Sequence, residues 1–345
     1  MYKEISVKEL GDAFPKNGTT QEQIEYVLTY AVRSPSTHNS QPWQFHFEGA
    51  ALQVLNDDSF VMPLTDPSSR YRSIGQGFFL YHLFLLLRYF RMSPQMAIIN
   101  DGKSVATVTY TSSQGVDPML EPLVSALLRR RNRRGVFMKD NPIADTLIAD
   151  ATHYTGPLPV GLDISTTHFS AASETLQSAG DATKDVVLDK YHSRVFRYEM
   201  ASWIVANDSK RTTGMAGYSL NMGLSLSRML SNLFRLFNLG PAIAFVSKKS
   251  IVSASGIFTF SSKEDRQGWL SVGFHACHTM LTLLSAGYSS SVFVATIEDP
   301  KTRKSVGDLF SITDDQPLQF LFVSGKFSDQ VEWYTNRTPF RDKVN

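Results

Sequence analysis

GFFLYHLFLLLRYFRMS, residues 77–93, and GFHACHTMLTLLSAGYS, residues 273–289, are the stretches whose comparison decides the fold. Set 196 positions apart, they coincide at Gly77 and Gly273, Phe78 and Phe274, His82 and His278, Leu85 and Leu281, Leu87 and Leu283, and Ser93 and Ser289. Both read as long apolar helices. Burial alone makes any two such helices look alike, but it does not call for a shared Gly-Phe start or a shared histidine. The helices before them correspond too: residues 22–32 run up to Ser34-Pro35, and residues 144–154 run up to Gly156-Pro157. Repetition at a fixed offset is the mark of a duplicated unit. The expected fold class is therefore α+β, two fused and diverged α+β units forming an internal pseudo-dimer, with the division at residues 1–122 and 123–345.

Working outward, residues 20–33 place Ile24, Val27, Leu28 and Ala31 at helical spacing after Thr19 or Thr20, a suitable N-cap, and Pro35 stops that helix. Residues 43–47 and 52–55 alternate about Glu48-Gly49 and predict a hairpin. Strands are expected at 106–110, 162–168, 257–261, 292–297 and 318–323. Helices are expected at 76–91, 119–131, 143–154, 171–205, 225–238 and 268–287. Residues 207–224 are rich in Ser, Thr, Gly and Asn and predict a flap or an ordered insertion.

The composition of the 345 residues, 42% hydrophobic and 19% charged, is that of a globular protein. A formal charge of +2 supplies no general attraction to nucleic acid or to an acidic membrane, so neither partner is expected. A single cysteine, Cys277, makes no internal disulfide, and the first residues lack the basic and apolar regions of a secretory signal; a cytoplasmic location is expected. The apolar run at 78–87 is about half the ~20 residues of a spanning helix. The run that leads to Phe245 is interrupted by Arg228 and Arg235. His275, Cys277 and His278 lack further ligands at metal spacing, so no metal is expected.

Two segments carry chemistry. SPSTHNSQPW, residues 34–43, is a polar turn between helix and strand. Its hydroxyls, amide and backbone N–H groups suit a planar heteroaromatic with several donors and acceptors; they suit a plain capping loop as well. RRRNRR, residues 129–134, offers forked and permanently charged donors to a phosphate monoester, or reads as a solvated charge run. No GxGxxG follows a strand.

The first segment resembles the PSxxNxQPW loop of the nitroreductase family of FMN enzymes. The likeness is to the long single-chain branch of Acg-like proteins, in which two such halves are fused. RRRNRR resembles that family's phosphate motif, with Arg131 in place of a short hydroxyl residue. The resemblance implies one FMN per chain, its ring against Pro35, Ser36, Thr37, His38 and Asn39 and its phosphate near Arg129, Arg130, Asn132 and Arg133. It further implies contacts from Ser289, beside the ring, and from Arg337 or Arg341 near the C-terminus. Gln41 and Trp43 are expected to be structural, and the role of His38 is open. The implied activity is NAD(P)H-driven reduction of a nitro or quinone-like small molecule, with NAD(P)H bound only transiently. The alternative is a flavin-sequestering protein lidded by residues 207–224. The implied state is a monomer with an internal pseudo-two-fold, or a weak homodimer.

Overall fold

The computed structural model describes residues 5–59, 61–99, 101–220, 222–329 and 335–345. Two short helices open the chain, α1 (Val7–Asp12) and α2 (Thr20–Ala31). Thr19 caps α2 by accepting from Glu22 N, while Glu22 accepts from Thr19 N at 2.7 Å, a reciprocal pair that satisfies two otherwise orphaned donors. β1 (Trp43–Glu48) and β2 (Ala51–Asn56) form the expected hairpin. Then come α3 (Arg70–Tyr89), β3 (Gln95–Ile98), β4 (Ser104–Thr109) and α4 (Glu121–Arg129). The second half contains α5 (Asp145–Thr152), β5 (Thr166–Ser170), α6 (Ser173–His192), α7 (Arg194–Trp203), β6 (Ile204–Val205), β7 (Met215–Ala216), α8 (Leu224–Leu236), α9 (Gly240–Val252), β8 (Gly256–Ser261), α10 (Arg266–Ser285), β9 (Ser289–Val292), α11 (Pro300–Asp308) and β10 (Leu318–Gly325).

The two main sheets are antiparallel and have the same topology. The first is ordered β1-β2-β4-β3 and the second β5-β8-β10-β9. In each half the chain runs helix, strand, strand, long helix, strand, strand: α2-β1-β2-α3-β3-β4, and again α5-β5-β8-α10-β9-β10. The second copy differs by a long insertion between its first two strands, which carries α6 to α9, and by α11 between its last two.

The long helices α3 and α10 cross at the two glycines of the repeat. A Cβ on Gly77 would stand 2.9 Å from Gly273 Cα and closer still to the Leu270 carbonyl oxygen. A Cβ on Gly273 would stand 2.9 Å from Gly77 Cα and closer still to the Ile74 oxygen. Ile74 and Leu270 are themselves 196 apart, so the contact is reciprocal, as at a two-fold axis. Glycine is required here because backbone meets backbone. One apolar core surrounds the crossing, with Trp43 stacked on Phe79 (4.8 Å between centroids) and Phe258 stacked on Phe322 (5.2 Å).

The C-terminal segment returns to the first sheet. Asn345 N donates to Phe45 O at 2.8 Å, and Lys343 Nζ forms a buried ion pair with Asp57 at 3.0 Å. Among the described residues no single helix is long and apolar enough to cross a membrane.

Several expected boundaries move. α3 begins at Arg70 rather than 76, because the Asp66 carboxylate accepts from Tyr71 N and Arg72 N and stands in for a cap. The helix expected at 119–131 ends at Arg129, where Arg130 turns to an extended ψ of 130°. The span 171–205 is two helices, broken where Ser193 caps the second. The strand expected at 162–168 lies at Thr166–Ser170. The one expected at 292–297 ends at Val292, and residues 294–297 form a 3-10 turn. β3, α9 and α11 are elements that hydrophobic periodicity did not flag.

Candidate active site

The turn after α2 is held in an uncommon backbone conformation. His38, Asn39 and Gln41 all have positive φ, at 50°, 59° and 52°. Non-glycine residues persist there only when their surroundings over-determine them. The surroundings are a hydrogen-bond lattice drawn from the loop itself and from two distant segments. Gln41 N donates to Ser36 Oγ at 2.8 Å, and Gln41 Nε2 donates to Thr212 O at 2.7 Å. Gln41 Oε1 accepts from Thr338 N at 2.9 Å, and Asn39 Nδ2 donates to Thr212 O and Asn336 O at 2.9 and 3.0 Å. Beneath them Lys343 Nζ donates to Gln41 O at 2.8 Å. Trp43 is fully buried under the loop.

Loop and arginine cluster share one cavity of about 200 Å³. Pro35, Ser36, Thr37, His38 and Asn39 line it together with Arg130, Asn132, Arg134 and Arg337. The floor is apolar and comes from both long helices and the second sheet: Ile74 and Phe78 of α3, Met280 of α10, and Val292 and Phe320 of β9 and β10. Gly214, Met215, Ala216, Ser219 and Leu220 of the expected flap form a further wall. This stretch is tied down, with Gly214 N donating to His38 O at 3.1 Å and Thr212 Oγ1 bonded to Thr338 Oγ1 at 2.8 Å. Asn221, within the same flap, lies outside the described residues. A smaller recess opens beside the cavity, lined by Arg33, Arg130, Arg131 and Arg337. Neither space has an aspartate or glutamate among its described lining residues.

The chemistry of the lining is uneven in an informative way. His38 Nε2, Asn39 Oδ1, Asn132 Oδ1, and Arg130 Nε and Nη1 are buried polar atoms without a hydrogen-bond partner. Such atoms are rare in folded proteins, because each costs about 1–3 kcal/mol of desolvation. Here they come from both halves of the chain and gather around one space. Burial, with Arg134 nearby, pulls the His38 imidazole down to about 4, so the ring is neutral at pH 7. Burial lowers Arg130 to about 10, which still leaves it a cation.

The other residues expected at the site lie elsewhere. Arg129 is exposed and donates from Nε to Ser125 O at 3.3 Å, because the last turn of α4 points it away. Arg133 is spent on Asp329 at 2.9 Å and on the face of Phe327. Ser289 is a rung of β9 opposite Gly325. Arg341 is 77% exposed and faces Glu25. Arg33, Arg131 and Arg134 were not singled out in their place. Alternation along an extended segment after Arg129 would have put Arg130, Asn132 and Arg134 on one side. His278 meets Tyr81 at 2.8 Å, and His275 meets the Ser271 carbonyl at 2.8 Å.

No family model matches the chain. Among curated proteins it is similar to the Mycobacterium tuberculosis protein named "Putative NAD(P)H nitroreductase Rv3131", 28% identical over 121 residues, 34% of each chain. It is also similar to that organism's "Putative NAD(P)H nitroreductase acg", 27% identical over 126 residues, 36% of this chain and 38% of the other. These curated relatives support the nitroreductase family for this chain. Each match to these nitroreductases spans about a third of their length. Two solved nitroreductases lie further off. The FMN and NADPH-dependent enzyme NfnB from a Sphingopyxis strain is 17% identical, with TM-score 0.42 over 65% of this chain and 97% of its own. A nitroreductase-like protein of Anabaena variabilis is 9% identical, with TM-score 0.45 over 80% and 69%. The assignment rests on the sequence relatives, not on these.

Proposed function

We propose that this nitroreductase-family chain is an FMN-dependent oxidoreductase that takes reducing equivalents from NAD(P)H and passes them to a nitro or quinone-like small molecule. One observation carries the reading: unpartnered buried donors and acceptors from both halves converge on a cavity lined by apolar side chains and arginines, with no carboxylate in its described lining. That set fits FMN. A flavin has a polar ring edge with donors and acceptors, a flat apolar body and a phosphate dianion. Asn39 Oδ1 and Asn132 Oδ1 are free to accept, Arg130 is free to donate, and His38 Nε2 serves in either sense. Arg33, Arg130, Arg131 and Arg337 would hold the phosphate, which needs several fixed cations to leave water.

When bound, FMN supplies the redox chemistry, hydride acceptance and electron release. The chain's own residues do the rest. Phe78, Met280 and Phe320 exclude water from the reacting face. Arg134, near His38, would stabilise negative charge that develops there in a low-dielectric setting. His38, held neutral, offers a hydrogen bond without adding a repelling charge to the arginines. The working unit is a monomer whose internal pseudo-two-fold takes the place of a homodimer's axis.

A second reading, flavin storage without turnover, is favoured by one feature. The flap is fastened to the loop through Thr212 and Gly214 and closes a wall of the cavity. The absorption spectrum of the purified protein, with mass analysis of the released cofactor, tests both; a colourless protein carrying no flavin refutes both. Stopped-flow mixing with NADPH then separates them. Bleaching of the flavin band within seconds supports turnover, and none over minutes supports storage.

A further inference from the structure

The insertion between β5 and β8 is not needed to build either sheet, and its outer surface differs from the rest of the molecule. The chain as a whole balances 34 Lys and Arg against 32 Asp and Glu, yet between Asp208 and Glu264 there is no acidic residue. That interval contains α8 and α9. α8 buries Ser227, Leu230 and Phe234, spaced three and four apart along one face. A second apolar row, Leu226, Met229 and Leu236, runs along the adjoining face at helical spacing and is exposed. The row ends in Phe237, 57% exposed, at the elbow where the chain bends by 115° into α9. α9 buries Gly240, Ala244, Ser247 and Ile251 and leaves Phe245 67% exposed on its outer side.

Cations stand beside these rows. Arg228 and Lys248 are paired with Asp208 and Asp181. Arg235 and Lys249 are exposed and have no carboxylate partner among the described residues. The next helix, α7, adds exposed Val195 and Tyr198, the latter accepting from Arg194 Nη2 at 3.2 Å.

Contiguous exposed apolar surface marks a contact site. A second copy of the chain is a poor occupant. A two-fold contact would set Arg235 and Lys249 against their own images, with no acid in the segment to answer them. An anionic lipid surface answers both the charge and the apolar rows. An amphipathic helix with cations beside its apolar face lies in the headgroup region rather than across the membrane. We propose that the α8–α9 elbow docks on an anionic bilayer, with Leu236, Phe237 and Phe245 entering the interface and Arg235 and Lys249 meeting lipid phosphates. The arginines that spoil this run as a spanning segment are what suit it to a surface. The docked helix also carries the flap: Ser227 Oγ of α8 accepts from Asn207 N at 3.0 Å, and Asn207 Oδ1 in turn holds Tyr218 N at 2.7 Å.

The test is co-sedimentation of the full chain with phosphatidylcholine vesicles and with mixed phosphatidylcholine–phosphatidylglycerol vesicles, at low and high salt. Binding to the mixed vesicles alone, weakened by salt, is expected. Arg235→Gln and Lys249→Gln should each weaken it about fivefold. Phe237→Ser with Phe245→Ser should abolish it while circular dichroism stays unchanged. Equal sedimentation with both vesicles, or none with either, overturns the proposal. So does a concentration-dependent dimer in light scattering that Phe237→Ser dissolves, since that gives the face to a second copy. None of these readouts depends on bound flavin.

Discussion

Replacing Gly77 by alanine asks directly whether the two halves meet as the structure has them. In an exposed helix the change stabilises by up to about 1 kcal/mol, because alanine loses less conformational freedom than glycine. At the crossing the new methyl would stand 2.9 Å from Gly273 Cα and Phe274 N and nearer still to Leu270 O, all of them backbone atoms. Carbon atoms rest at about 3.5–4.0 Å, so the helices must part by roughly 1 Å. Overpacking of this kind costs about 3 kcal/mol at the upper end of its usual range, and no flexible side chain is present to give way. The net loss is about 2 kcal/mol. With an unfolding entropy of ~2.1 cal/mol/K per residue, that lowers Tm by roughly 3 °C. Gly273→Ala should lose about as much, because its methyl meets Gly77 Cα at 2.9 Å and Ile74 O in the mirrored arrangement. The double variant should lose less than the sum, since one separation of the helices accommodates both methyls. Differential scanning fluorimetry on the four proteins decides it. A rise in Tm for Gly77→Ala, or full additivity, would show that the helices do not touch at these residues.

Arg130→Ala removes a cation common to the cavity and its recess, and charged hydrogen bonds are worth about 1.5–3 kcal/mol, so FMN binding to apo-protein should weaken about 10–100-fold in a fluorescence titration. Arg129→Ala, pointing away, should change it less than about twofold. Lys343→Met strands the buried Asp57 carboxylate and removes the donor to Gln41 O, for an expected loss of about 3–5 kcal/mol in urea unfolding. Adding Asp57→Leu should recover part of it, and no recovery would argue against the ion pair. Acid should destabilise the fold through its buried histidines. His38 and His278 are each pulled down to about 4, whereas the unfolded chain protonates near 6.5. Below that value the unfolded state binds more protons, so stability falls from pH 6.5 toward 4 and then levels for these groups. His38→Gln should flatten that slope in denaturation series at pH 7, 6 and 5.

The polar turn was legible because its residue types are costly to place without a purpose, and Ser36, His38 and Asn39 do line the cavity. The arginine run was legible as a cluster but not residue by residue. Only the end of α4 at Arg129 decides which guanidinium groups turn inward, and the resemblance of the run to a phosphate motif does not mark that point. Arg33 was invisible in the same way: it closes the recess by standing just after α2, far in sequence from its partners. Ser289 and Arg341 are not among the cavity's lining residues: strand pairing claims the first and solvent the second.

Local chemistry along the chain determined the class of the fold and most of its helices and strands, since periodicity, caps and turn residues act over a few positions. The repeated Gly-Phe start was visible as well, but its meaning was not. The order of the strands, the reciprocal crossing at Gly77 and Gly273, the return of residues 335–345 to the first half and the enclosure of one cavity by segments from across the chain were decided only in three dimensions. The physical reason is that each depends on surfaces that do not exist until both units have formed and buried their apolar faces against one another.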